Sequence, residues 1–271
     1  MTDDERVALR YAVAFEPGIY GPEFSRDAAY AGPHLLVMAD GIQNMSSPDS
    51  PSKIAIGKLR YLDAPAEPSD LTMSIENGLA GLRETFRQLL EGDSRWMGTG
   101  TVLTAMLWQD IHAVIAHIGD TRAYMLRDNE LTQLTHDHTI RQVLLDEGRI
   151  SPGDPEFDSK HSAVIRWLDG ESSEPEDVIV HEAADVIVHE AALGDRYLLS
   201  TDGVHEVLSP EILRDCLRGA EGDPQAAVDR IVREAAPAKH YDNFTCIVAD
   251  VVSQPRVSAA TGPILAGAAA R

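Results

Sequence analysis

Two cysteines in 271 residues, Cys216 and Cys246, are too few for a disulfide framework or a spaced zinc site. A reducing compartment fits. Basic residues are also scarce: 23 Lys and Arg stand against 44 Asp and Glu, giving a formal charge of -21. Such a surface repels phosphate backbones and anionic lipid, which argues against nucleic acid and membrane as partners. Aromatic residues make up only 6% of the chain, and Trp96, Trp108 and Trp167 are too scattered to form a base-stacking platform. No apolar run approaches the ~20 residues that span a bilayer, and the first residues are acidic where a secretory leader is basic. The expected location is the cytoplasm.

What the chain does have is a hydrophobic share of 44%, enough for one large core, with no Gly/Ser/Pro linker dividing it. Short Val/Ile/Leu-rich runs at 35–38, 102–108, 113–118, 197–199 and 244–252 read as strands, apolar on both faces and so packed between layers. Ile75, Leu79, Leu82, Phe86 and Leu89 recur at helical steps, with Gly92 at the expected C-cap. A shorter helix covers Ile140, Val143 and Leu144 and stops near Gly148. Ser209-Pro210 starts another, and one through Val228, Ile231 and Val232 is expected to end at Pro237. Asp128-Asn129 between two strand-like runs predicts a hairpin, and therefore antiparallel pairing. Residues 43–53 and the tail after Val252 carry no clear pattern and are expected to be loop and disordered end. The octapeptide DVIVHEAA at 177–184 repeats at once at 185–192; two copies are too few for a solenoid and read as a local duplication lengthening a loop or strand.

The chemistry lies in the aspartates at strand ends. Strand candidates run directly into Asp40-Gly41, into Asp120 and into Asp202-Gly203, while Asp242 stands just before the strand beginning at Phe244. If that last strand is antiparallel to its neighbours, all four carboxylates share one rim of the sheet. Carboxylates crowded in this way repel one another and need cations to neutralise them. Oxygen-only donors suit Mg²⁺ or Mn²⁺.

In this order the motifs resemble those of the metal-dependent protein phosphatases, the type 2C serine/threonine phosphatases, in their bacterial form. His34 to Gly41 (HLLVMADG) is similar to the family's first Asp-Gly motif, and Gly98-Thr99-Gly100-Thr101 to its Gly-Thr-Thr segment. Ile118-Gly119-Asp120-Thr121-Arg122 resembles the Gly-Asp-Ser-Arg motif, continued by Thr135-His136-Asp137-His138. The segments around Asp202-Gly203 and Asp242-Asn243 resemble the last two motifs. The resemblance implies an α+β fold, a four-layer sandwich of two antiparallel β-sheets flanked by α-helices. It implies a phosphatase-like catalytic domain over 1–252, which leaves 253–271 as the patternless tail expected to be disordered. It also implies two Mn²⁺ or Mg²⁺ ions bridged by Asp40, with Gly41 giving a carbonyl and Asp202 and Asp242 completing the ligands of the second ion. Asp120 resembles the ligand of a third, more loosely held ion, Glu206 stands where the family usually has Asp, and Asp27 fits the acidic position before the first strand. The implied substrates are phosphorylated proteins, with bacterial Ser/Thr kinases and their targets as partners.

Two departures bear on function. Where the family carries an Arg for the substrate phosphate this chain has Pro22, and Arg26 occupies the place of an acid; Arg26 reads either as a replacement phosphate fork or as a surface charge. After Gly41 the chain continues Ile42-Gln43-Asn44 in place of a glycine pair. Hydrolysis of phosphoserine and phosphothreonine by a metal-activated water therefore competes with two other readings, a regulatory binding protein of weakened turnover and a small-molecule phosphohydrolase. Arg141, Arg149 and Arg166 fall in the region that in the family covers the site. His112, His117, His136 and His138 lack zinc spacing and read as structural or surface residues.

Overall fold

The computed structural model describes residues 6–19, 21–43, 47–152, 162–171, 184–220, 222–236, 242–254 and 262–270. Two antiparallel sheets pack face to face. One contains, in spatial order, β1 (Arg6–Glu16), β11 (Phe244–Gln254), β10 (Arg196–Ser200), β6 (Arg122–Arg127) and β7 (Glu130–Gln133). The other runs β12 (Ile264–Gly267), β2 (Asp27–Ala31), β3 (Leu35–Ile42), β4 (Gly100–Gln109), β5 (His112–Ile118) and β9 (Asp185–Glu190), with the short β8 (Leu168–Asp169) also pairing β4.

The double-sided apolar character of the strands follows from this stacking. On β3, Leu35, Val37 and Ala39 face α1 (Pro51–Leu59) and α2 (Leu71–Gly92), whereas Leu36 and Met38 face the opposite sheet. On β11, Phe244, Cys246 and Val248 pack under α5 (Pro210–Arg218) and α6 (Pro224–Ala235), while Ile247, Ala249 and Val251 point between the sheets. Three apolar layers thus lie between four layers of secondary structure, as the resemblance implied. Each fully buried Leu or Ile in them contributes roughly 1.5–3 kcal/mol.

Local signals account for most element ends. Ser209 Oγ accepts from the Ile212 N–H at 3.4 Å with Pro210 in the first turn of α5, and Asp223 caps α6 through the Gln225 and Ala226 N–H groups. Asp128 and Asn129 both adopt positive φ, 51° and 66°, as the two-residue turn joining β6 to β7 requires. Pro237, the expected end of α6, lies outside the described residues.

Three expectations need correction. Residues 43–53 are not all loop, because Ser50 caps α1 and Pro51 opens it; the cap was legible, but the apolar positions it serves, Ala55, Ile56 and Leu59, fall beyond 53. The tail after Val252 is not wholly disordered: Ile264–Gly267 pairs with β2, from Ile264 opposite Ala31 to Gly267 opposite Ala28, and Ala268 is buried beside α1. A four-residue edge strand is too short to show a period of two. Gly92 is the last residue of α2 and not a left-handed cap, the chain leaving through extended Asp93. Of the duplicated octapeptide, the second copy supplies β9, and residues 177–183 of the first lie outside the described residues. Among the described residues no helix is long and apolar enough to cross a membrane.

Candidate functional site

The acidic strand ends meet at one rim of the sandwich. Register places Asp27 opposite Asp40 at the β2–β3 edge, and β4 separates Asp40 from the strand that leads to Asp120. In the other sheet, Ser200 lies opposite Cys246, so Asp202 follows β10 at the end where Asp242 precedes β11. Asp27 joins the two rims: its Oδ2 accepts from Thr201 Oγ1 at 2.9 Å and from Thr245 Oγ1 at 2.5 Å, the ends of β10 and β11. Asn243 adds a second tie, its Oδ1 accepting from the Arg26 N–H at 2.7 Å and its Nδ2 donating to the Pro17 carbonyl at 2.9 Å.

The turn after β10 explains the Asp-Gly pair. Asp202 begins α4 (Asp202–His205), its Oδ1 accepting from the Gly203 N–H at 2.8 Å. A Cβ on Gly203 would sit 2.0 Å from the Asn243 carbonyl oxygen. Only a bare backbone lets the Asp202 and Asp242 turns touch.

Electrostatics show how tightly these groups are gathered. Asp40 is pushed well above the ordinary carboxylate range, first by burial and then by the charges of Asp27, Asp202, Asp120 and Asp242. Burial likewise raises Asp27 to about 7, against two hydroxyl hydrogen bonds that favour its charge. Asp202 rises to about 6 through burial and the charge of Asp242. Asp120 is held well above its usual value by burial and by Asp202. Asp40, Asp120 and Asp202 are enclosed by protein yet keep part of their surface open, and Asp242 is exposed. Like charges brought this close are stable only with protons or cations among them.

Among the described residues no three acidic, histidine or cysteine side chains form a closed cage for one ion. The carboxylate oxygens gathered at the rim suit hard ions, which take one or two carboxylates and keep several waters.

Other expected residues take different places. Glu206 accepts from Arg141 Nη1 at 2.5 Å, so much of its charge is met by α3 (Ile140–Asp146). Arg166 donates to Asp185 at 3.2 Å and Arg149 to Glu147 at 3.2 Å. Arg26 is exposed, and its guanidinium makes no hydrogen bond or ion pair with another described residue. Its carbonyl accepts from the Gly41 N–H at 3.1 Å and from the Ser52 hydroxyl, which roots the side chain beside Asp40-Gly41. Pro22 lies in a single 3-10 turn, Pro22–Phe24. Sequence reasoning missed Thr201 and Thr245, although a Thr at each strand end next to a motif aspartate was a visible signal.

Replacing Thr245 by Val removes one of the two bonds to a buried carboxylate. Urea unfolding at pH 7 is expected to show a loss of about 1–3 kcal/mol; an unchanged midpoint would mean that the Thr245 hydroxyl does not support Asp27. A separate recess of about 350 Å³ opens at the far end of β10. Its Arg196 and Asp250 are paired with each other at 2.5 Å, so it offers no comparable charge imbalance.

Known proteins share the sequence pattern and the fold. A profile for protein phosphatase 2C matches residues 43–144. The serine/threonine protein phosphatase PstP of Mycobacterium tuberculosis is 35% identical over 262 residues, 97% of this chain and 48% of the relative. The chain thus spans about half the length of that relative. The serine/threonine phosphatase stp of Listeria welshimeri is 28% identical over 222 residues, covering 80% of this chain and 84% of that protein. A crystal structure of M. tuberculosis PstP/Ppp superposes with a TM-score of 0.80 at 33% identity, covering 90% of this chain and 99% of that one. A structure of the PstP catalytic domain in complex with two manganese ions gives 0.79 at 32% identity, covering 91% and 99%. One third identical to a solved structure that it matches almost end to end, the chain belongs to the protein phosphatase 2C family.

Proposed function

We propose that the chain hydrolyses phosphoserine and phosphothreonine in proteins, using divalent cations held by its acidic rim. The observation that carries this reading is the mutual crowding of Asp27, Asp40, Asp120 and Asp202 at one end of the sandwich. In this assignment Asp40, the Gly41 carbonyl, Asp202 and Asp242 would hold two ions, and Asp120 with Asp202 would hold a third. Asp27 lies deeper, opposite Asp40 in register and tied to Thr201 and Thr245, and adds its charge to the rim. Glu206, committed to Arg141, contributes charge near Asp202 and not a bond to metal. The manganese in the PstP structure supports Mn²⁺, with Mg²⁺ as the alternative hard ion.

Bound cations lower the pKa of a ligated water and screen phosphate oxygens for in-line attack. The protein's part is to hold the carboxylates ionised at fixed positions and to steer the phosphate. Arg26 is the candidate for steering, since its guanidinium has no partner among the described residues and its backbone adjoins Gly41 and Asn243. Phosphorylated proteins are the proposed substrates, bacterial Ser/Thr kinases and their targets the proposed partners, and the cytoplasm the proposed location. The folded unit assigned to this activity runs from β1 through β11 and includes β12.

The deciding measurement is phosphate release from a phosphothreonine peptide with Mn²⁺ and with chelator. Turnover that appears only with the ion supports the proposal, whereas ion binding without turnover overturns it. Arg26→Ala is expected to raise KM about tenfold with kcat nearly unchanged, the loss of one charged hydrogen-bonded contact. An unaltered KM would return Arg26 to the surface.

A further inference from the structure

Asp120 reaches the rim through an unusual link. Gly119, which precedes it, has φ of 102° and a Cβ there would lie 2.1 Å from Val102 Cγ1. The position must be glycine, and glycine leaves the peptide free to rotate. Something outside the strand has to hold it.

That holding falls to one residue. The His138 N–H donates to the Gly119 carbonyl at 2.7 Å, and the Gly119 N–H donates to His138 Nδ1 at 2.9 Å. His138 grips both polar groups of Gly119. Its neighbour Asp137 holds the other flank of the loop, accepting from Arg122 Nε at 2.9 Å and Nη2 at 2.6 Å.

The imidazole is itself oriented from behind. An Nδ1 that accepts must leave the proton on Nε2, and Nε2 stands 3.1 Å from Asp185 Oδ2, at the start of β9. Only this tautomer satisfies Gly119 and Asp185 together. In this tautomer Nε2 cannot accept from Arg166 Nη1, which faces it at 2.6 Å as a second donor; Arg166 is held instead through Nη2, which donates to Asp185 Oδ1 at 3.2 Å. The His117 ring stacks against His138 with centroids 4.8 Å apart and is pinned by Thr104 and the His136 carbonyl. Burial and the charge of Arg166 favour the neutral form of His138, as the accepting Nδ1 demands.

We propose that His138 is a positioning residue for the metal rim: through Nδ1 it locks the Gly119 peptide and so fixes where Asp120 presents its carboxylate, with Asp185 fixing the ring. It touches neither ion nor substrate. The inference rests on the assignment of Asp120 to a cation, and its test separates the two.

The full chain is compared as wild type, Asp120→Asn, His138→Gln and His138→Asn. The Asn amide can place an oxygen where Nδ1 stands, whereas Gln reaches only the Nε2 position. Two readouts are taken: Mn²⁺ affinities from titration followed by electron paramagnetic resonance, and exchange of the Gly119 amide proton in metal-free protein by NMR. His138→Gln is expected to weaken the most weakly held Mn²⁺ about tenfold, leaving tighter ions unchanged, as is usual when a ligand loses its supporting hydrogen bond. It should also speed Gly119 exchange at least about tenfold. His138→Asn should stay within about threefold of wild type in both. Equal behaviour of the Gln and Asn variants, or Gly119 exchange in the Gln variant at the wild-type rate, overturns the proposal. If Asp120→Asn leaves every Mn²⁺ affinity intact, the cation assignment of Asp120 fails by itself. Gly119 exchange then still decides whether His138 locks the loop.

Discussion

Asp202→Asn is expected to lower Mn²⁺-dependent turnover of a phosphothreonine peptide by about three orders of magnitude, comparable to deleting a central electrostatic group from an active site. Asp202 is the shared neighbour in the rim: its charge acts on Asp27, on Asp40 and on Asp120. Asparagine keeps the shape and can still accept the Gly203 N–H, so the turn into α4 survives. It removes repulsion among buried carboxylates, and the metal-free variant should therefore melt higher than wild type. Lost activity with gained apo stability is a combination that simple misfolding cannot produce. Turnover within tenfold of wild type would sink the assignment.

The second large effect is on stability against pH. Asp27 and Asp202 have folded-state values raised to about 7 and about 6 from an ordinary 3.8. A carboxyl raised on folding binds its proton more tightly in the native state, so its stabilising contribution is complete below pH 3.8 and disappears as pH rises through the folded value. The metal-free chain should therefore lose stability between about pH 4 and 7 on account of this cluster. A three-unit shift corresponds to roughly 4 kcal/mol, or on the order of 10 °C in melting temperature for a chain of this size. Cations bind the ionised oxygens and compete with protons, which reverses the trend. Saturating Mn²⁺ is thus expected to raise the melting temperature much more at about pH 8 than at about pH 5.5. Equal metal-induced shifts at the two pH values would show that the carboxylates are already ionised without the ion.

The sequence reveals the site better than it reveals the frame. Asp40, Asp120, Asp202 and Asp242 are legible because each interrupts an apolar strand at its end, where a charge has no structural reason to be. The strands they terminate are legible because burial on both faces leaves unbroken Val/Ile/Leu runs. β12 and β9 were not, since edge strands are short and half exposed, Val188 at 70%, and need no such run. The start of α1 was obscured for a related reason: its buried face includes Pro51 and Ser52, which carry no hydrophobic period. The partners of Arg141 and Asp27 lie at sequence separations of 65 and more. Local pattern says nothing of such contacts. His138 shows the limit most clearly, read as structural or surface from its lack of zinc spacing while its two bonds to Gly119 depend on the loop folding back across 19 positions.

The repeated octapeptide also acts as an address problem for the folding chain. Both copies offer β5 the same eight letters, so side chains alone do not say which one should be zipped onto it. The residues just beyond each copy differ. Only the second copy runs into Leu193-Gly194-Asp195, where Asp195 Oδ2 accepts from the Ala192 N–H at 2.7 Å and the Gly194 N–H donates to the Val251 carbonyl at 3.0 Å. The punctuation after the word, not the word itself, marks the copy that pairs with β5.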